Sequence, residues 1–238
     1  MKKTGLKKTI CALLALSVLA LSSCAKNGGS DDPGVTAPPP ADPDGVYATV
    51  NGEDITIAEI SYFSARERAS VITGYMSATG RSWSEECWDA EYEGSTPREI
   101  LAQKTLDDAV AAKVKLIEMK KNEIYDDITY NGLYQRAVNY NKEHENAAGT
   151  VGLKTIDLST FYTYYVSTGS MALENILGED LLKPTEEEKT SWLAEHEAGF
   201  DEVGRENADS IALNSVIREK YDAYIADLIA SADVHVIG

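Results

Sequence analysis

The sequence predicts a mainly α-helical fold (α+β), in which long helices accompany a small antiparallel sheet. The first observation behind this prediction is a threonine–x–x–glutamate pattern that occurs three times, at Thr56, Thr96 and Thr185. In such a capping box the threonine hydroxyl accepts from a backbone N–H of the first helical turn, and the glutamate reaches back to the threonine N–H. Each of the three patterns opens a segment with helical periodicity, so we expect a helix to begin at each.

The second observation concerns the strands. Asn51-Gly52 lies between two short β-prone runs within residues 46–56, which predicts a hairpin. A two-stranded hairpin is only marginally stable in water, so a third strand is needed. The "VHVI" run at residues 234–237 is the only later candidate. We therefore expect both ends of the folded region to meet in one small antiparallel sheet.

The remaining elements are helices. The second helix, over residues 97–121, is the clearest, because apolar residues recur every three or four positions and proline opens it. The irregular stretch before it carries Trp83, Trp88 and Tyr92, which we expect to pin it onto the core. The other predicted segments cover about residues 57–78 with a stop at Gly80, 129–148, a helix following Asp157, a short segment at 171–182, a helix from the third capping box to about Gly199, and 209–231.

The first 23 residues predict a signal peptide. Four lysines precede an apolar core at residues 10–21, which is too short to span a bilayer. "LSSC" at residues 21–24 resembles the lipobox of bacterial lipoproteins, which implies cleavage before Cys24 and lipidation of its sulfur. We therefore expect an extracytoplasmic protein that is anchored to the bacterial cell membrane through lipid only.

Residues 24–45 predict a disordered tether, since glycine, serine, aspartate and proline dominate them. Residues 46–238, roughly 190 in number, are enough for one domain. Loss of the four signal-peptide lysines would take the net charge from −17 to −21. This charge argues against nucleic acid and anionic lipid headgroups as partners.

Motifs that carry chemistry are missing from the sequence. It has no HExxH, no CxxC pair, no Walker glycine loop and no GxSxG. Cys87, alone beside Trp88, is expected in the core. The sequence therefore predicts no catalytic residue, no metal, no cofactor and no small-molecule substrate.

Three segments together resemble the SurA and PrsA family of extracytoplasmic foldases. After the lipobox and tether, "VYATVNGEDITIAEI" (46–60) looks like the family's opening hairpin and first helix. "PTEEEKTSWLAEHEAGF" (184–200) is similar to the helix before the family's catalytic insert, and "REKYDAYIADLIASADVHVI" (218–237) resembles its closing helix and strand. The resemblance implies that residues 46–238 form a helical chaperone domain of the SurA N-terminal type.

The sequence departs from this family at the insert. A parvulin prolyl-isomerase domain usually lies between the last two segments, whereas residues 200–209 leave only ten positions there. A compact domain needs roughly 50 residues or more. The isomerase domain is therefore expected to be missing.

The resemblance implies a non-catalytic chaperone that binds unfolded or partly folded exported proteins. The candidate client-binding residues are Phe161, Tyr162, Tyr164 and Tyr165, because tyrosine offers an apolar body and a polar tip. The other interpretation of this cluster is core plus rim. Two further functions remain open: a scaffold lipoprotein for one dedicated envelope partner, and a peptidyl-prolyl isomerase with an unrecognised site.

Overall fold

A computed structural model describes residues 45–145 and 155–237. The predicted signal peptide, Cys24 and all of the tether but Gly45 lie outside the described residues, as do positions 146–148 of the predicted third helix. The described strands are β1 (Val46–Val50), β2 (Glu53–Thr56) and β3 (Val234–Val236). The described α-helices are α1 (Ile57–Thr79), α2 (Pro97–Lys121), α3 (Tyr130–Glu145), α4 (Leu158–Glu179), α5 (Glu186–His196), α6 (Glu202–Glu206) and α7 (Ala208–Ser231). Two short 3-10 helices cover Glu85–Asp89 and Glu197–Gly199. The predicted mainly helical fold with a small antiparallel sheet is confirmed.

The sheet joins the hairpin to the last strand, as the sequence predicts. Its strand order is β2-β1-β3, and β3 runs antiparallel to β1 with Ala48 opposite Val236. Asn51 and Gly52 both have positive φ, 52° and 84°, as the favoured two-residue hairpin turn requires. The Asn51 N–H donates to the Asp233 carbonyl, and the Asp233 N–H donates to Asn51 Oδ1, each over 2.9 Å. The hairpin turn therefore also holds the start of β3.

All three predicted capping boxes form. In each, the threonine N–H donates to the glutamate Oε2 over 2.7–2.9 Å, and the glutamate N–H donates to the threonine Oγ1 over 3.2 Å. They open α1, α2 and α5 respectively. Helix α1 ends where predicted, at Gly80 with φ 67°, a backbone conformation that glycine adopts without steric penalty.

Helix α4 differs from the prediction, because the expected helix after Asp157 and the short segment at 171–182 form one continuous helix. Gly169 lies in its middle. A Cβ at Gly169 would approach Met119 Sδ to 2.5 Å and Tyr125 Cε2 to 2.6 Å. This glycine therefore allows close packing inside the helix and does not end it.

The chain divides into two compact units. The described part of the first covers residues 45–113, 129–145, 155–162 and 233–237, and the second covers 114–128 and 163–232. The first unit contains the sheet, α1 and α3, and the second contains α5, α6 and α7.

Aromatic rings organise the core of the first unit. The Trp83 and Trp88 rings meet edge to face at 4.8 Å, and Tyr75 of α1 packs against Trp83 at 5.6 Å and Tyr92 at 5.1 Å. Cys87, which lies between Trp83 and Trp88 in the sequence, is buried. The predicted pinning of the stretch before α2 is therefore confirmed.

Candidate functional site

The four candidate client-binding residues do not share a surface. Phe161, Tyr162 and Tyr165 are buried, whereas the Tyr164 side chain is 55% exposed. Successive residues of a helix point about 100° apart, so one helix cannot present all four on one face. This placement matches the core-plus-rim interpretation, with Tyr164 at the rim. Tyr164 is also the one residue of the four that a polypeptide could contact in this conformation.

Tyr162 is held inside the first unit by aromatic and polar contacts. Its ring lies 4.6 Å from the ring of Tyr62 and 5.6 Å from that of Phe63. Its hydroxyl donates to Glu59 Oε1 over 3.5 Å. Burial, followed by the negative charge of Glu59, raises the pKa of Tyr162 well above its ordinary value. Tyr162 is therefore a neutral hydrogen-bond donor of the core.

Glu59 is the centre of a buried polar network in the same unit. Besides its capping bonds to Thr56, its Oε1 lies 2.9 Å from Lys113 Nζ, and both side chains are only 2% exposed. The carboxylate thus has a charged partner as well as neutral donors, which burial of a charge requires. The network joins the start of α1 to α2.

Lys113 is the residue of this network that the local sequence patterns do not predict. The sequence pattern of Glu59 predicts a capping box, which is a local interaction. Lys113 follows Val110 by three positions and therefore lies on the apolar side of α2. A lysine at such a position indicates a buried charge, and this is the feature of the sequence from which the pair could have been suspected. Because both charged groups are closed to solvent, the pair is structural in this conformation.

An exposed and uncharged surface lies on the part of α4 that belongs to the second unit. Its members are exposed and occupy one side of the helix: Thr163, Tyr164, Ser167, Thr168 and Met171. We call this set the uncharged α4 face. The Met171 side chain is 64% exposed.

The lack of charge on this face is unusual for this chain. No charged residue occurs between Asp157 and Glu174, although 26% of all residues are charged. Hydroxyl groups, one tyrosine ring and one methionine side chain cover the surface instead. Such a surface can bond to peptide groups without selecting for the charge of the bound chain.

Comparisons of the chain with protein-family models, with curated proteins and with solved structures each found no match. Within the described residues, no group of three or more His, Cys, Asp or Glu side chains has an arrangement that could hold a metal ion. None of the described helices combines the length and apolar character needed to cross a bilayer.

Proposed function

We propose that this protein is a lipid-anchored extracytoplasmic chaperone that binds unfolded exported polypeptides without catalysis. It is built on a domain of the SurA N-terminal type without the parvulin isomerase domain. The observation that carries the proposal is the uncharged α4 face, whose two large side chains, Tyr164 and Met171, are 55% and 64% exposed. Large exposed side chains of this kind are a feature of surfaces that bind other proteins.

The chemistry of the face suits an extended polypeptide. Each serine, threonine or tyrosine hydroxyl both donates and accepts a hydrogen bond, so it can pair with either group of a peptide unit. Methionine has a flexible, polarisable side chain that adapts to different neighbours. Many weak contacts of this kind would lower the concentration of free, aggregation-prone chain.

Three further observations support the proposal. The opening hairpin and the closing strand, which belong to two of the segments that resemble the SurA and PrsA family, pair in one sheet. The net charge of −17 favours solubility of a protein that exposes a binding surface. The lipobox at residues 21–24 supports the membrane anchor.

Light scattering tests this function. A soluble form that starts at Ala25 is mixed at near-stoichiometric concentration with two unrelated denatured proteins, and their aggregation is followed. We expect it to slow the aggregation of both. The Tyr164→Ser/Met171→Ser double variant is expected to lose most of this effect, because it removes both large side chains of the face.

The control variant is Met76→Ser, which removes a methionine that is 40% exposed on α1 and outside the uncharged α4 face. It is expected to protect both substrates as the wild type does. If the wild type slows neither aggregation, general chaperoning is wrong, and a scaffold role for one dedicated partner becomes the leading function. Acceleration of proline-limited refolding would instead indicate an isomerase.

A further inference from the structure

A cleft of about 470 Å³ opens within the second unit. Three helices contribute to it: Glu174 comes from α4, Trp192 and His196 from α5, and the remaining lining residues from α7. None of these side chains belongs to the uncharged α4 face. The cleft is therefore a second surface, independent of the chaperone function proposed above.

One wall of the cleft is an oriented aromatic pair. The rings of Trp192 and His196 stack with their centroids 4.1 Å apart and their planes 12° from parallel. Trp192 Nε1 donates to Glu219 Oε1 over 2.9 Å. Because α5 and α7 are joined by this bond, the indole orientation is set before any ligand arrives.

The other wall carries polar groups with unused hydrogen-bonding capacity. Arg218 Nη1 donates to Glu174 Oε2 over 2.7 Å, which engages one of the five N–H groups of the guanidinium. In the described part of the chain, the side chains of Asn214 and Ser215 have no hydrogen-bond partner. The segment 214–219 of α7 therefore offers both hydrogen-bond donors and acceptors to the cleft.

The charge balance narrows the class of ligand. The cleft holds two carboxylates, Glu174 and Glu219, and one guanidinium, Arg218. The surplus of negative charge in the cleft, and the net charge of −17 of the whole chain, would repel an anion. The guanidinium of Arg218 would repel a simple cation. A neutral ligand with many hydroxyl groups fits, because each hydroxyl can donate to a carboxylate and accept from Arg218 or Asn214.

We propose that this cleft binds a neutral oligosaccharide. The hydroxyl groups of the sugar pair with Arg218, Asn214 and Glu219, and its C–H groups pack against the aromatic surface of the Trp192–His196 pair. The cleft would contact the same hydroxyl and C–H groups in a free oligosaccharide and in a sugar segment of a larger glycan. The function is recognition only, with no bond made or broken.

Indole NMR tests the proposal at the residue concerned. The protein has three tryptophans, so ¹⁵N labelling of tryptophan in the full-length protein gives three indole signals. The sample is kept in a detergent without a sugar headgroup. The probes are a chitotetraose and a maltotetraose, titrated to about 10 mM, a range that detects dissociation constants up to about 1 mM. We expect at least one of them to shift the Trp192 signal saturably.

The matched variants are Arg218→Gln and Arg66→Gln. Each removes an arginine from an exposed ion pair of 2.7 Å, but Arg66 pairs with Asp108 and does not line the cleft. Arg218→Gln is expected to weaken the apparent affinity by about tenfold or more, since hydrogen bonds to charged groups contribute about 1.5–3 kcal/mol. Arg66→Gln is expected to leave the affinity unchanged.

Dispersed signals from all three indoles in the absence of sugar show that both units of a variant are folded, since Trp83 and Trp88 lie in the first unit and Trp192 in the second. Chitotetraose binding alone would indicate an N-acetylated glycan, and maltotetraose binding alone a glucan; either result supports the proposal. No shift of the Trp192 signal with either probe overturns it. Equal weakening by both arginine variants, or shifts confined to Trp83 and Trp88, also overturns it.

Discussion

Replacing Lys113 by methionine tests the account of the buried network. The substitution keeps a long, unbranched side chain of similar volume and removes the positive charge. The Glu59 carboxylate then keeps its bonds from Thr56 and Tyr162 but has no counter-ion at 2.9 Å. Since both partners are 2% exposed, water cannot take the place of the lost ammonium group without opening the core.

The expected loss follows from this burial. Removing one partner of a buried ion pair typically destabilises a protein by about 3–5 kcal/mol, because an uncompensated charge remains. A domain of this size has a free energy of unfolding of about 5–15 kcal/mol. Lys113→Met should therefore lose a large part of the stability and yet leave a folded population to measure.

The double variant Glu59→Gln/Lys113→Met separates lost charge from lost packing. A neutral glutamine keeps an oxygen that can accept from the Thr56 N–H, and no charge remains buried. We expect the double variant to lie within about 2 kcal/mol of the wild type, so the two substitutions are strongly coupled.

Urea unfolding followed by far-UV circular dichroism measures these differences. Arg66→Gln is the exposed control, because it breaks an ion pair of 2.7 Å whose arginine side chain is 48% exposed. It should change the free energy of unfolding by no more than about 1 kcal/mol. A loss below about 1 kcal/mol for Lys113→Met, or simple additivity in the double variant, would refute the reasoning.

Three further predictions concern packing, the turn and pH. Gly169→Ala should destabilise the protein by about 1–3 kcal/mol through overpacking, whereas Gly74→Ala, with open space around its added Cβ, should stabilise it by about 0.5–1 kcal/mol; thermal unfolding of both variants checks this. Asn51→Ala should cost about 1–2 kcal/mol, because it loses the side-chain bond from the Asp233 N–H and strains a positive φ; chemical denaturation of this variant measures the loss. Burial and the hydrogen bond to Glu118 raise the pKa of Tyr224 to about 12. The contribution of neutral Tyr224 to the free energy of unfolding is therefore present below about pH 10 and is lost as the pH rises towards 12. The fall in urea midpoint between about pH 9 and pH 11 should be smaller in Tyr224→Phe than in the wild type.

The local features of this protein were predictable from the sequence. A capping box joins residues three apart, and the Asn51-Gly52 turn needs two adjacent residues that accept positive φ. The third strand could be inferred as well, since a lone hairpin is unstable and only one later run had strand character. These predictions hold because each interaction either lies within a few residues or has only one candidate partner in the chain.

The pairing of polar side chains that lie far apart in the chain was decided by the tertiary structure. Glu59 and Lys113 are 54 positions apart, and Trp192 and Glu219 are 27 apart, so periodicity could not pair them. The packing of α4 determines that Tyr162 is buried and Tyr164 exposed, although both are tyrosines in one helix. Gly169 lies where a Cβ would collide with Met119 and Tyr125, a close approach that no local pattern indicates. The sequence by itself determined where elements begin and which class of fold they form. Which faces are buried, and which distant polar groups meet, depends on the balance of burial and pairing over the whole chain.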